Sequence, residues 1–197
     1  MIAKLFIPHS FAVDTSDGFI VGIDYGAYQL ASKGISMDLS IGDFDSVSPE
    51  QLSLIEEFSK EVIYLSVDKN EIDSEAAIIE VIKRGYQEVC LYGDIGQRLD
   101  HLLTNIKLVA KYSINYISDT NKIAYYGPGT HQIKKDYPVL SLIVLNDCEL
   151  SLKNTLYELD HRKLSFNDNY TTSNAIIKDH AILTVHFGSV ITIETKD

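Results

Sequence analysis

The chain has only two cysteines, and neither is spaced for a metal or a redox pair: Cys90 stands in "VCLYG" and Cys148 in "LNDCELSL". A disulfide framework and a thiolate zinc site are thereby excluded, and two buried free thiols in a reducing, cytoplasmic compartment are expected. Positive charge is scarce as well, with 17 Lys and Arg against 28 Asp and Glu and a formal net charge of −11. Nucleic-acid partners need a basic stripe, so none is expected. A chain this acidic that handles phosphates does so through a divalent cation. Long apolar runs are missing too. "MIAKLFIPHS" has a short apolar run without a basic flank or a full signal-peptide core, and no run is long enough to span a bilayer, so a soluble protein without a membrane partner is expected. Low-complexity linkers and internal repeats are absent. At 197 residues, one large domain or two small, closely packed ones can bury a substantial core.

Up to about Ser118, short apolar runs alternate with helical periodicity. "FIVGID", "MDLSIG", "EVIYLS" and "EVCLYG" read as buried strands; "YGAYQLASKG", "SPEQLSLIEEFSK", "DSEAAIIEVIKRG" and "RLDHLLTNIKLVAKY" read as helices. The last of these is expected to bury a stripe of Leu99, Leu102, Leu103, Ile106 and Val109. Such alternation predicts a mostly parallel sheet covered by helices. From about Lys122 the pattern changes to "KIAYY", "VLSLIVL", "CELSLK", "YELDHRKLSF", "AILTVHFG" and "SVITIET", with turn-rich breaks such as "GPGT" and no helix, which predicts antiparallel hairpins in a small sandwich or barrel. The division expected is 1–121 and 122–197.

In an open parallel sheet, ligands collect at the carboxyl ends of the strands. Asp24, the pair Asp43 and Asp45, Asp68 with Lys69 and Asp73, and Asp94 with Arg98 and Asp100 all follow predicted strands. One such aspartate is explained as a helix cap: Ser48 caps the helix that begins at Pro49, and Asp73 can cap the next. Acid converging from four loops is not, because like charges repel unless a cation neutralises them. In "LSIGDFDSVSPEQ" an extended segment would put Asp43 and Asp45 on one side, as Mg²⁺ ligands, and Phe44 on the other, in the core. In "GDIGQRLDH", Gly93 and Gly96 allow close approach of a ligand and Arg98 is a phosphate donor. Asp100 lies off the apolar stripe, and His101 reads as a core or capping histidine.

The stretches "GIDYGAYQL", "LSIGDFDSV", "VDKNEIDSEAAI", "LYGDIGQRLDHLLTN" and "TTSNA" resemble, in order and spacing, the thiamine pyrophosphokinase family, over almost the whole chain. The resemblance implies a three-layer α/β/α domain with a mostly parallel sheet, followed by an antiparallel β-sandwich that binds thiamine. It implies Mg²⁺-dependent transfer of pyrophosphate from ATP to the thiamine hydroxyl, giving thiamine diphosphate and AMP, in a homodimer whose site lies between the α/β domain of one chain and the sandwich of its partner. By resemblance Asp43, Asp45 and Asp73 hold the metal; Asp24, Asp68, Lys69 and Arg98 serve ATP; Asp100, Ser173 and Asn174 serve thiamine; and Asp43, Asp45, Asp73, Arg98 and Asp100 are the catalytic set.

Departures from the family pattern are Ile72 where Thr is usual, Asn70 where an acid is common, Ala175 where Glu is frequent, and "IPHS" without the glycines of the first loop. Each hydrogen bond so lost would weaken binding by about 1 kcal/mol. Two rival readings remain: a related pterin-type pyrophosphokinase, against which "TTSN" in the second half counts, and a non-catalytic nucleotide- or thiamine-binding dimer, which Ile72 and Asn70 favour.

Overall fold

The structure is a computed structural model that describes residues 1–9, 15–66, 68, 71–93 and 98–196. The chain divides into two compact units, Met1–Leu108 with Tyr116–Asp119, and Val109–Asn115 with Thr120–Asp197.

In the first unit the strands are β1 (Ile2–Phe6), β2 (Phe19–Ile23), β3 (Leu39–Gly42), β4 (Val62–Tyr64), β5 (Glu88–Tyr92) and β6 (Asn115–Ile117). Their order is β5-β1-β2-β3-β4, with β6 outside β5. The pairs β5–β1, β1–β2, β2–β3 and β3–β4 are all parallel, so every one of those strands ends on the same edge. Strand β1 is an addition to the expected set: a single apolar run with a buried Lys4 gave no alternation to recognise.

Buried residues alternate across the sheet. Phe6 and Ile20 join Ala27, Leu30 and Ala31 of α1 (Tyr25–Ser32) and Ile55 of α2 (Pro49–Phe58) in one cluster. Ala3, Leu5, Val21 and Ile23 are buried too, and helix α3 (Asp73–Lys83), which packs on β1, β2 and β3, buries Ala77, Ile78 and Val81. On the same side the Ser74 hydroxyl of α3 donates to Asn105 Oδ1 of α4 (Leu99–Tyr112) at 3.3 Å. Helices on both faces of a parallel sheet make the expected three layers.

Local chemistry sets the helix starts. Ser48 Oγ accepts from Gln51 N at 3.3 Å while Gln51 Oε1 accepts from Ser48 N at 2.8 Å, a capping box with Pro49 at the first helical position. The second expected cap is corrected. Asp73 is itself the first residue of α3, and Ile72 occupies the cap position, where its side chain can accept no hydrogen bond. The expected stripe of α4 is corrected as well: Leu99 and Leu103 are 69% and 61% exposed, whereas Asn105, Leu108 and Val109 are buried. The buried face is rotated because it includes a polar residue that the apolar periodicity passes over.

The second unit is a sandwich. One sheet has the order β12 (Asn174–Ala175), β9 (Val139–Val144), β14 (Val190–Thr195), β7 (Asn121–Tyr126); the other has β11 (Leu159–Leu164), β10 (Cys148–Lys153), β13 (His180–Phe187), β8 (Gly129–Lys134). The pairings between these strands are antiparallel. Their inner faces meet in one core that includes Leu140, Leu142, Val144 and Val190 from the first sheet and Ile133, Leu150, Leu152, Leu183 and Val185 from the second. Strand β8 begins inside "GPGT", which reads as a break because Gly and Pro hide the strand that follows. Cys90 and Cys148 are both buried, and burial holds the Cys148 thiol above its usual range.

Candidate functional site

The carboxyl edge of the parallel sheet gathers acid as expected, with a different membership. Carboxylate oxygens of Asp24, Asp43 and Asp45 all lie within 4.8 Å of one another. Asp24 leaves β2 with φ 49 and ψ −126, a backbone region that side chains rarely enter and that clusters at functional sites. Its N–H donates to the Ile41 carbonyl at 3.0 Å, which ties it to the end of β3. Gly42 makes that approach available: a Cβ there would stand 3.0 Å from Asp24 Cα. At Gly93 packing also calls for glycine, since a Cβ there would collide with Ile7 Cγ1.

The segment after β3 is not extended, which corrects the expected geometry of the pair. Phe44 has φ 55, and the turn is closed by Asp45 N donating to Asp43 Oδ1 at 3.2 Å. A left-handed residue between them brings the two carboxylates together where an extended strand was expected to do so. Phe44 is buried in the α1–α2 cluster, edge-on to Tyr64 at 5.5 Å, as its apolar ring requires.

The Ser46 hydroxyl donates to Asp24 Oδ2 at 2.9 Å, while Asp24 Oδ1 is buried with no hydrogen-bond partner among the described residues. Burial pushes the Asp24 carboxyl above its ordinary range, against the pull of the Ser46 bond, and the charges of Asp73 and Asp43 push it the same way. A hard divalent cation fits this set: it would give the orphaned oxygen a partner and offset the repulsion of three carboxylates.

Beside the acids lies a cavity of about 390 Å³, and Asp24 belongs to both. Ile7 and His9 after β1, Ile23 and Asp24 at β2, Asp73 and Ser74 at the start of α3, Arg98, Leu102 and Asn105 on or before α4, and Tyr116 of β6 line it. Asp73 is thus brought beside Asp24 on the cavity wall, though it is not among the three converging carboxylates. Arg98 stands at the mouth in a bidentate pair with Asp100, at 2.6 Å from Nη2 and 3.2 Å from Nε. The Arg98 bonds hold the Asp100 carboxyl below its usual range, which makes Asp100 a weak base. His101, read as a core or capping histidine, is exposed at the cavity mouth.

Asp68 is exposed, its N–H donating to Ser66 Oγ at 3.2 Å, and it joins neither the carboxylates nor the cavity. Lys69, Asn70, Asp94 and Gly96 lie outside the described residues. In the sandwich unit Ser173 is exposed with φ 57, its N–H donating to Ser141 Oγ at 3.0 Å. Asn174 is buried and occupied: its Oδ1 accepts from Tyr157 N at 3.0 Å and its Nδ2 donates to Tyr157 O at 2.8 Å. Tyr157, which sequence reasoning missed, is held there with 65% of its surface exposed. Ser46 and Asn105 were missed too, although a serine directly after the acid pair and a lone amide on the apolar side of a helix were signals for both.

The family profile described as "Thiamin pyrophosphokinase, catalytic domain" matches residues 13–121, and "Thiamin pyrophosphokinase, vitamin B1 binding domain" matches residues 130–192. The chain belongs to the thiamin pyrophosphokinase family. It is therefore an enzyme of the diphosphotransferase class, as the resemblance implied. The thiamine pyrophosphokinase of Bacillus subtilis (strain 168) is 26% identical over 186 residues, which cover 90% of this chain and 87% of that protein. The crystal structure of a thiamin pyrophosphokinase family protein from Enterococcus faecalis superimposes with a TM-score of 0.88 at 26% identity, covering 100% of this chain and 99% of that one. Thiamin pyrophosphokinase from Candida albicans shares the fold at 18% identity, with a TM-score of 0.85 over 99% of this chain and 89% of that one. No helix among the described residues of this family member is long and apolar enough to cross a membrane.

Proposed function

We propose that this protein transfers pyrophosphate from ATP to the hydroxyl of thiamine, with Mg²⁺, releasing thiamine diphosphate and AMP. The observation that carries the reading is the convergence of Asp24, Asp43 and Asp45 at the sheet edge, with Asp24 Oδ1 buried and lacking a hydrogen-bond partner among the described residues. Asp24, Asp43 and Asp45 would hold the ion, with Asp73 as the neighbouring acid on the cavity wall. When bound, Mg²⁺ supplies positive charge to phosphoryl oxygens on which negative charge accumulates.

The chain's own residues do the rest. Arg98 is exposed at the cavity mouth; Asp100 engages its Nε and Nη2, which leaves Nη1 to donate to phosphate. Asp100, an exposed carboxylate paired with Arg98, is suited to orienting the hydroxyl by accepting its hydrogen bond, and contributes by positioning more than by proton abstraction. That Lys69 and Asp68 serve the nucleotide rests on the family resemblance. Residues 1–121 form the nucleotide- and metal-binding domain in this reading, and residues 122–197 the thiamine-binding domain. Ser173 contacts thiamine there, and Asn174 acts by holding Tyr157, whose exposed ring offers a stacking face. The functional unit is a homodimer with its site at the interface, and the exposed apolar side chains of Leu156, Tyr157 and Ile177 near Ser173 and Asn174 support this. Two buried cysteines without metal or redox spacing support a cytoplasmic location.

The test is incubation of purified protein with thiamine, ATP and Mg²⁺, with AMP and thiamine diphosphate followed together. Equimolar appearance of both, lost on chelation of the metal, is expected. Binding of thiamine and ATP with neither product would overturn the reading in favour of a binding protein.

A further inference from the structure

Asn105 is 3% exposed, in the middle of α4, on the side that packs inward. Its Oδ1 accepts from the Ser74 hydroxyl at 3.3 Å, and the side chain makes no other hydrogen bond among the described residues. The amide nitrogen is nevertheless not among the fully enclosed orphan atoms, and Asn105 lines the cavity. The Nδ2 group therefore meets the cavity, with two N–H donors that no group among the described residues receives. Buried donors are normally satisfied, and an amide oriented by a neighbouring hydroxyl is poised to bond a ligand. Ser74 performs that orienting role: by donating to Oδ1 it fixes which end of the amide faces the cavity.

The surroundings restrict the ligand. Ile7, Ile23, Leu102 and Tyr116 provide apolar wall, and the acidic residue common to the cavity and the carboxylate cluster is Asp24. A ligand that fits carries a flat ring with an acceptor atom at one end and, at the other, anionic oxygens that reach a cation at Asp24. A volume of about 390 Å³ accommodates a purine and its ribose.

We propose that Asn105 reads the nucleobase of the phosphoryl donor, its Nδ2 donating to a ring nitrogen of adenine, with Ser74 as the residue that orients it. This rests on the proposed pyrophosphate transfer for the identity of the nucleotide, but base recognition is measurable without turnover.

The experiment compares wild type with Asn105→Leu, which keeps the shape and removes the donors. With thiamine saturating, the expected result is an ATP KM raised about tenfold and a kcat within about twofold, as loss of one buried hydrogen bond in the ground state requires. The preference for ATP over GTP, CTP and UTP should fall by a similar factor, a change that a merely structural role of Asn105 would not produce. Ser74→Ala should raise the ATP KM by about threefold, since the amide survives but turns more freely. An unchanged ATP KM and base preference in a folded variant overturns the proposal, and so does a rise confined to the thiamine KM. Should Asn105→Leu not fold, the wild-type protein decides: adenosine, which has no phosphate, must shift the Asn105 side-chain amide resonances, and thiamine must not. The opposite pattern refutes the assignment. A protein that binds adenosine through Asn105 yet forms no thiamine diphosphate leaves this inference standing while sinking the proposed reaction.

Discussion

Each of the two units crowds carboxylates together, and they resolve the repulsion in opposite ways. In the sandwich, Glu194 is 2% exposed, and Lys122 Nζ lies 3.7 Å from it and 2.6 Å from Asp136. Burial alone would lower the Lys122 ammonium, but Asp136 and Glu194 outweigh it and hold Lys122 above its usual range. That cluster carries its own cation. In the α/β unit Asp24, Asp43 and Asp45 converge on an edge where Asp24 Oδ1 has no hydrogen-bond partner among the described residues; burial raises the Asp24 carboxyl here as it raises Glu194 in the sandwich. A charge cluster neutralised from within belongs to the architecture; in the proposed function, the carboxylates at the sheet edge would take their counter-charge from Mg²⁺.

The comparison breaks first on activity. Asp45 is exposed, so Asp45→Asn should leave the melting temperature within a few degrees while lowering turnover about a thousandfold or more. Near-normal formation of AMP and thiamine diphosphate by this variant would remove the distinction between the clusters. Lys122→Met should do the reverse, costing about 2–4 kcal/mol of stability by denaturant titration because Glu194 is left buried without its cation. If Lys122→Met is as stable as wild type, the sandwich cluster is not internally compensated.

Metal sharpens the contrast. A carboxyl whose folded value is raised destabilises the native state as pH rises from its ordinary value, 3.8 for Asp24, through the folded one. Without metal, the Asp24 contribution therefore favours the folded state most below that window and is lost above it. At neutral pH, Mg²⁺ at a hundredfold excess over its Kd should restore about 2.7 kcal/mol, read as a rise in melting temperature that fades as pH falls into the carboxylate range. Asp24→Asn should be more stable than wild type without metal and show a smaller Mg²⁺ shift. A Mg²⁺ shift equal in wild type and in Asp24→Asn would take Asp24 out of the metal site. The smallest effect concerns helix starts: α2 has a complete capping box, whereas α3 begins after an apolar Ile72. Ile72→Thr should stabilise the protein by about 1 kcal/mol, measured in the same denaturant titration. No gain would mean that the first turn of α3 is already satisfied by other groups.

Much of this was legible in one chain. Alternation of apolar runs and helical periodicity predicted a parallel sheet with helices, and short strands without helices predicted the antiparallel half, because both patterns arise from burial at a fixed repeat. The α4 stripe was misread for the same reason: periodicity scores Leu99 and Leu103 as core, yet they are exposed, and it ignores the buried Asn105. Asp43 and Asp45 could be named from spacing, but the turn at Phe44 that joins them could not, since a positive φ in a bulky residue is held by tertiary packing. Asn174 was visible as a polar residue of the sandwich, whereas its engagement with the backbone of Tyr157 depends on the path of a distant loop.

By itself the sequence determined which residue types reach the active edge, because a parallel strand followed by a loop delivers its next polar residues to one side of the sheet. It also determined the excess of acid delivered there. Which acids meet was decided only by the tertiary structure: Asp24 joins Asp43 and Asp45, while Asp73 turns to the cavity wall, because strand order, the glycine at position 42 and the hydrogen bond from Ser46 set distances that chain separation does not encode.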